Sequence, residues 1–488
     1  MSFAVVATGL GKLQGQRIGD VHQFRNVPFA LPPLGALRFA VPQPPQPWAG
    51  IREATEHGAI PPQRPSRLRN VVGDFTRPQS EDCLSLTIST PAFRENELCP
   101  VVVFFHGGAY QAHAGSLDWY DGSALASRGG LVVVSANYRL GALGFLAKEG
   151  SGEGRQGLLD VVAALHWVAN HIKSFGGDPR RVTVMGQSAG GHAITCMLAM
   201  PEARGLFRRA IIQSGVGGVP TFSNAHALHV HREFTKALRV SASEALPDEL
   251  LAASEAVERS NHTFGDVRPL FMPTINRLSN GAEFLAAAAD GVIERKIEVL
   301  IGTTREEAHA FFCAPGALKP PPQAVASAIE RLMPEEEVID AIRARRPDAA
   351  GLQLLSDVVT DRLFRRPTID FAQAIAAQGG RAWTYQLDWA PDGSALGACH
   401  CLELPLVFGN LDAWQSAPML AGANRAALAK LSRSVQARWI EFIRNGDLKP
   451  GFIAWPGLDH RRSAIRFKAY KSRSGSNPLK FENTRIVR

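Results

Sequence analysis

The sequence predicts an α/β architecture: a mostly parallel central sheet with helices on both faces. Three observations carry this. Residues 101–105 (Val-Val-Val-Phe-Phe), 131–135 (Leu-Val-Val-Val-Ser), 182–185 (Val-Thr-Val-Met) and 209–213 (Arg-Ala-Ile-Ile-Gln) are short, nearly continuous apolar runs, the pattern of strands buried on both faces. Between the second and third runs, over 158–172, Leu159, Val162, Ala163, His166, Trp167 and Ile172 recur at helical spacing. Strands alternating with helices build a parallel sheet with both sides covered.

In chain order, the first fifty residues are rich in Gly and Pro and read as short strands and turns wrapped over a surface. Thr8-Gly-Leu-Gly-Lys-Leu-Gln-Gly15 has two glycines at dinucleotide-loop spacing, but the third lies one residue too far and no buried strand precedes it, so it reads as a hairpin turn. Further strands are expected at 298–301 and 382–385. A helix over 426–444 packs Leu428, Leu431, Val435, Trp439 and Phe442 inward and stops at Asn445-Gly446. Residues 217–296 and 314–380 are helix-rich stretches between strands, of a size that builds a lid over an active site. No repeat, linker or low-complexity tract divides the chain, so 1–488 reads as one domain.

Composition narrows the function classes. Hydrophobic residues at 45% and charged residues at 20% supply an ordinary core. No run approaches the roughly 18 to 20 apolar residues of a membrane span. The N-terminus has no basic segment before its short apolar run, so a cytoplasmic protein is expected. The net charge of +8 is dispersed in small clusters (Arg64, Arg67, Arg69; Arg461, Arg462; Lys468, Lys471, Arg473), which reads as a solvated basic surface with no nucleic-acid partner. The six cysteines form neither a disulfide framework nor a C-x-x-C pair. Cys399-His400-Cys401 has no second Cys/His pair to complete four zinc ligands, so neither a metal nor a cofactor is expected, and reduced thiols fit best.

The chemistry centres on Val182-Thr-Val-Met-Gly-Gln-Ser-Ala-Gly-Gly191. This is G-x-S-x-G with a strand before it and a helix candidate, 193–200, after it. That context is the sharp strand-to-helix turn that lifts a nucleophilic serine clear of the sheet in the α/β-hydrolase fold. Gly186 and Gly190 stand where side chains would collide as helix and strand cross, and the N–H of Ala189 falls beside the Ser188 hydroxyl. Phe105-His-Gly-Gly-Ala-Tyr110 follows the first buried strand, making Gly108 and Ala109 candidate backbone donors to an oxyanion alongside Ala189; each such donor is worth roughly 3 kcal/mol. His106 reads as a structural hydrogen-bonding residue. Serine needs a base, and the base needs an orienting carboxylate. Chain order in this fold is nucleophile, acid, histidine, which removes His106, His113, His166 and His171. His192, His226, His229, His231, His262, His309, His400 and His460 remain. Spacing does not choose among them.

These motifs resemble the type-B carboxylesterase family over residues 6–465. The likeness also includes Phe24-Arg-Asn-Val-Pro-Phe-Ala-Leu-Pro-Pro-Leu-Gly, Glu81-Asp-Cys-Leu-Ser-Leu, Asn170-His-Ile-Lys-Ser-Phe-Gly-Gly-Asp-Pro179 and Ile211-Ile-Gln-Ser-Gly215. The resemblance implies Glu307 as the acid, from Gly302-Thr-Thr-Arg-Glu-Glu-Ala-His, with Ala308 where relatives carry Gly. It implies His400 as the base, from Cys399-His-Cys-Leu-Glu-Leu-Pro-Leu-Val-Phe-Gly, and Ser214 as a support of the acid. Three departures stand out. Gln187 precedes the nucleophile where relatives commonly have Glu. No Cys lies upstream of Cys83 to form the loop disulfide of secreted members. No Trp occurs between Trp48 and Trp119, where cholinesterases place the aromatic face that binds quaternary ammonium.

The expected function is therefore serine carboxylesterase: hydrolysis of small, uncharged carboxylic esters through an acyl-enzyme. Tyr110, Gln187, Phe271, Phe311 and Phe312 are candidate pocket residues, with core packing the competing role for each, and Tyr120 is a candidate on the same terms. The alternatives are a catalytically silent cholinesterase-like binding protein, or a specialised hydrolase for a toxin, carbamate, lactone or amide. Nothing in the sequence separates a monomer from a homodimer.

Overall fold

A computed structural model describes residues 3–91, 97–147, 153–261, 263–316, 320–333, 336–349, 351–448, 463–467 and 481–485. Thirteen strands form one sheet: β1 (Phe3–Thr8), β2 (Gly11–Ile18), β3 (Val21–Pro28), β4 (Ile51–Glu53), β5 (Ser85–Pro91), β6 (Cys99–Phe105), β7 (Val132–Ala136), β8 (Gly177–Gln187), β9 (Arg209–Gln213), β10 (Glu298–Thr304), β11 (Ala382–Leu387), β12 (Ser463–Phe467) and β13 (Phe481–Arg485). Their order is β1-β2-β3-β5-β7-β6-β8-β9-β10-β11-β12-β13, with β4 beside β2. From β7 to β12 every pairing is parallel. The β1-β2-β3-β5-β7 run is antiparallel.

The apolar runs explain the layering. Side chains alternate across a strand, and the two faces of β6 enter different cores. Val101, Val103 and Phe105 join one cluster, with Val132 and Val134. Val102 and Phe104 join the other, with Val133. The helix Gln156–His171 covers the first face and Arg425–Asn445 the second. The latter ends at Gly446 in the left-handed conformation, φ 65°, as its Asn-Gly stop predicts. The helix Gln156–His171 begins two residues earlier than expected. Its buried stripe is Leu158, Val161, Val162, Leu165 and Val168, whereas Leu159 and Ala163 are half-buried and His166 is exposed. The turn after β1 is the expected hairpin, with Thr8 opposite Gly11.

Within 217–296 the helices Asn224–Ala237 and Pro247–Asn261 stand off the sheet, whereas Gly281–Arg295 packs on the helix Ala189–Ala199 behind the serine turn. Within 314–380, Pro322–Leu332 and Leu352–Val359 pack on each other, and Arg366–Ala377 packs on β10 and β11. Among the described residues no helix is long and apolar enough to cross a membrane.

Candidate active site

At the C-terminal end of β8 the chain reverses through Ser188, at φ 55°, ψ −118°, and the helix Ala189–Ala199 starts at the next residue. A non-glycine residue at positive φ costs roughly 1 to 3 kcal/mol, and its surroundings must hold it there. The Ser188 N–H donates to Gln213 O (2.9 Å), and Ser188 O accepts from His192 N (2.8 Å). The flanking glycines are sterically required. A Cβ on Gly190 would lie 2.0 Å from Phe105 O, and one on Gly186 would lie 2.5 Å from the Gly190 backbone. The helix therefore begins four residues before the expected 193, because the turn itself is its first cap.

The 106–110 segment is similarly constrained. Gly108 has φ 108°, and a Cβ there would meet Ala112 O at 2.1 Å. Ala109 and Tyr110 follow at φ 56° and 58°. Gly108 O is held by the N–H groups of Gln111 and Ala112 (2.9 and 3.0 Å), and Tyr110 O by Gly141 N (2.7 Å). Among the described residues the N–H groups of Gly108, Ala109 and Ala189 donate to no protein acceptor. Gly108, Ala109 and Ser188 line one cavity. His106 lies 2.7 Å through Nδ1 from Gly107 O and stacks on Tyr138, with centroids 4.3 Å apart. Burial pushes its pKa down to about 3, which leaves it a neutral packing residue.

The acid and histidine loops follow β10 and β11. Glu307 Oε2 lies 2.6 Å from His400 Nδ1, and Oε1 accepts the Thr304 N–H at 2.7 Å. Both side chains are buried, at 0% and 1% exposure. The loops are stitched together by Glu306 N to Ala398 O (2.9 Å) and Ala398 N to Glu306 Oε2 (2.8 Å). Ala308, standing where a glycine was expected, has φ −82°, a conformation alanine adopts without strain. The other ring nitrogen, His400 Nε2, lies 3.2 Å from Gln187 Nε2. With Nδ1 protonated toward Glu307, Nε2 carries a lone pair that the Gln187 amide can donate to. Phe311 and Phe364 pack on the imidazole at centroid distances of 5.5 and 5.2 Å.

One residue near this pair was not singled out by sequence. Glu403, on the first turn after the histidine loop, is buried close to Glu307, and burial together with that neighbouring carboxylate raises its pKa from 4.5 to about 8. The Ser214 hydroxyl faces Glu403; Ser214 was expected to support Glu307.

Ser188 and His400 line the same cavity, of about 280 Å³, with Phe271 and Phe311 in its wall. A second lobe of about 40 Å³ touches Ser188, Ala189, Tyr110, Phe311 and Phe364. Phe312 lines neither lobe: it sits one helical step of about 100° past Phe311 and packs against Phe264. Gln187 lies behind the imidazole, outside both walls. Tyr120 packs in the core among Phe104, Phe408 and Trp414. His192 is enclosed by Tyr110 OH (2.7 Å) and Val219 O (3.0 Å), with its pKa lowered to about 4 by burial. His226, His229 and His231 lie on the helix Asn224–Ala237, and His309 faces Arg346 and Glu306. His262 and His460, and the basic clusters of residues 461–462 and 468–473, lie outside the described residues. Cys399 and Cys401 flank His400 as buried thiols, both pushed up by desolvation. Among the described residues no group of three or more His, Cys, Asp or Glu is arranged to hold a metal.

The fold is that of the α/β-hydrolases: a mostly parallel sheet that presents a strained serine, a buried His–Glu pair and unengaged backbone donors at one cavity. Comparison with known proteins narrows the class. The Carboxylesterase family model matches residues 2–480. The para-nitrobenzyl esterase of Bacillus subtilis (strain 168) is 36% identical over 468 residues, 93% of each chain. A probable N-octanoylanthranilate hydrolase of Rhodococcus erythropolis is 36% identical over 463 residues, 93% of this chain and 95% of the relative. A solved structure of a PNB esterase superposes with a TM-score of 0.80 at 32% identity, covering 99% of this chain and 98% of that one. The chain belongs to the carboxylesterase family, and it is a carboxylic-ester hydrolase.

Proposed function

We propose that Ser188 is the nucleophile, His400 the general base and Glu307 the acid of a two-step hydrolysis of uncharged carboxylic esters. His400 Nε2 takes the Ser188 proton as the oxygen attacks the ester carbonyl. The N–H groups of Gly108, Ala109 and Ala189 receive the charge that develops on the carbonyl oxygen. His400 then delivers its proton to the departing alcohol, and a water activated by the same imidazole releases the acid. Glu307 keeps the proton on Nδ1 and stabilises the imidazolium. The observation that carries this reading is the 2.6 Å contact between Glu307 and His400 Nδ1, with His400 and Ser188 sharing one cavity wall.

We further propose that the chain acts as one catalytic unit over 1–488, with the helices of 217–296 and 314–380 that stand off the sheet serving as its lid. A cytoplasmic setting fits the buried thiols Cys83, Cys196, Cys399 and Cys401. The test is a panel of p-nitrophenyl esters from acetate to decanoate on wild type and Ser188→Ala. Loss of turnover only in the variant is expected. Equal turnover would overturn the assignment of the nucleophile, and no turnover by wild type would favour a narrow substrate or a binding role.

A further inference from the structure

Among the described residues Arg67 is the one guanidinium that lines both lobes of the cavity at Ser188. It is exposed. Its Nη2 donates to Val267 O at 2.8 Å, and its Cζ lies 5.1 Å from the centroid of the Phe311 ring. Phe311 in turn packs on His400, so the cation stands one aromatic ring away from the base.

Of the carboxylates around it, Glu255 and Asp266 are engaged by other arginines, and Glu258 also lines the larger lobe. Arg64 pairs with Glu255, which also takes Arg259 (3.0 Å). Arg268 holds Asp266 through Nε and Nη2 (3.0 and 2.6 Å). Glu258 and Asp266 attract Arg67 at longer range. Among the described residues no carboxylate lies within 4.0 Å of it. A guanidinium has five donors in a fork that matches a carboxylate. Here one of those donors meets a backbone oxygen, and the ring face takes one side of the plane. Its side chain lines both lobes while exposed to solvent, so an anionic substrate group can take the fork without displacing a protein carboxylate.

We propose that Arg67 is a specificity-determining residue that receives a carboxylate carried by the substrate, so that esters bearing an anionic group close to the scissile bond are preferred over their neutral counterparts. This rests on the triad reading above and departs from it in substrate class, since the preferred ester carries a charge where uncharged esters were proposed. The carboxylate has two possible attachments. The leaving alcohol must reach His400, which lines only the larger lobe, so the smaller lobe receives the acyl group. Arg67 borders both.

The experiment compares matched pairs. On the acyl side these are mono-4-nitrophenyl glutarate and 4-nitrophenyl methyl glutarate; on the alcohol side, 4-acetoxybenzoate and its methyl ester. The quantity read is the anionic-to-neutral ratio of kcat/KM in wild type, Arg67→Gln and Arg67→Lys. A charge-assisted pair is expected to make that ratio fall about thirtyfold in Arg67→Gln for at least one pair, with partial recovery in Arg67→Lys and a decline in wild type as salt is raised. The pair that responds identifies the side. A ratio unchanged by Arg67→Gln in both pairs overturns the proposal. As a readout independent of turnover, monomethyl glutarate and benzoate are titrated against the thermal midpoint of Ser188→Ala. A rise that disappears in Ser188→Ala/Arg67→Gln supports the site, and no rise with either ion counts against it. Failure of wild type to cleave even the neutral esters would instead sink the triad reading.

Discussion

Replacing Glu307 by Gln keeps the shape of the side chain and changes what its two oxygens can do. In the native arrangement one oxygen accepts Thr304 N–H at 2.7 Å, and the other accepts from His400 Nδ1 at 2.6 Å. An amide has one accepting oxygen, so its NH₂ must face either the Thr304 donor or the imidazole. In the first case a buried donor–donor contact appears; in the second, His400 is driven to the tautomer with the proton on Nε2, where it cannot accept from Ser188. Either way the imidazolium formed during attack loses its counter-charge. At an effective dielectric of about 20 and a charge separation of roughly 4 Å, that attraction is about 4 kcal/mol, which is about a thousandfold in rate. The assay is kcat and KM for p-nitrophenyl butyrate, alongside the thermal midpoint. The expectation is a kcat lowered about a thousandfold, with little change in KM. A folded Glu307→Gln enzyme within about tenfold of wild type would refute the role given to this carboxylate.

Three further outcomes follow from the same geometry. Gln187→Glu places a carboxylate where the amide now lies 3.2 Å from His400 Nε2; an adjacent negative charge favours the imidazolium, so the acidic limb of the pH–kcat/KM profile should move to higher pH, and an unmoved limb would remove Gln187 from contact with the base. Glu403 binds its proton more tightly folded, pKa about 8, than unfolded, near 4.5. The native state therefore holds more protons across that window, and stability should fall as pH rises through it; Glu403→Gln should flatten this slope in urea melts at pH 5 and pH 8, and identical slopes would mean that the carboxyl is not held protonated. Gly190→Ala puts a Cβ 2.0 Å from Phe105 O, a clash that backbone cannot relieve cheaply, so a loss of several kcal/mol or of soluble protein is expected; a stable, active variant would contradict the close crossing of helix and strand.

How much of this was legible in the sequence depends on how local the cause is. Buried strands announce themselves because each residue of Val101 to Phe105 must be apolar to serve two cores. The serine turn is equally local: Gly186 and Gly190 are fixed by contacts within a few residues of Ser188 and with the end of β6. The acid and base were not readable from spacing, since 93 residues separate Glu307 from His400 and only sheet topology brings the ends of β10 and β11 together; the family resemblance pointed to them. Pocket walls were least legible. Phe311 and Phe312 are adjacent and chemically identical, yet one faces the cleft and the other packs on Phe264. Arg67 sat in the sequence among scattered surface arginines, and nothing local distinguishes it from Arg64 or Arg69.

The strained backbone positions suggest why the site sits where it does. Ala109, Tyr110, Ser188, Ser214 and Cys401 are all non-glycine residues at positive φ, and they follow the C-terminal ends of β6, β8 and β9 or lie in the histidine loop. At the first three strand ends parallel pairing stops, and the chain must leave the sheet at once so that its next segment can cover a face. Such turns leave backbone N–H groups unpaired by the ladder, which is what an oxyanion requires. The cost of holding them, roughly 1 to 3 kcal/mol per residue, is offset by the two cores packed beneath. Relaxing one of them should then trade activity for stability: Ala109→Gly, which removes the Cβ penalty at φ 56°, should leave the fold at least as stable while loosening the donor, lowering kcat more than it changes KM. If Ala109→Gly retained full kcat, the rigidity of this turn would not be part of the catalysis.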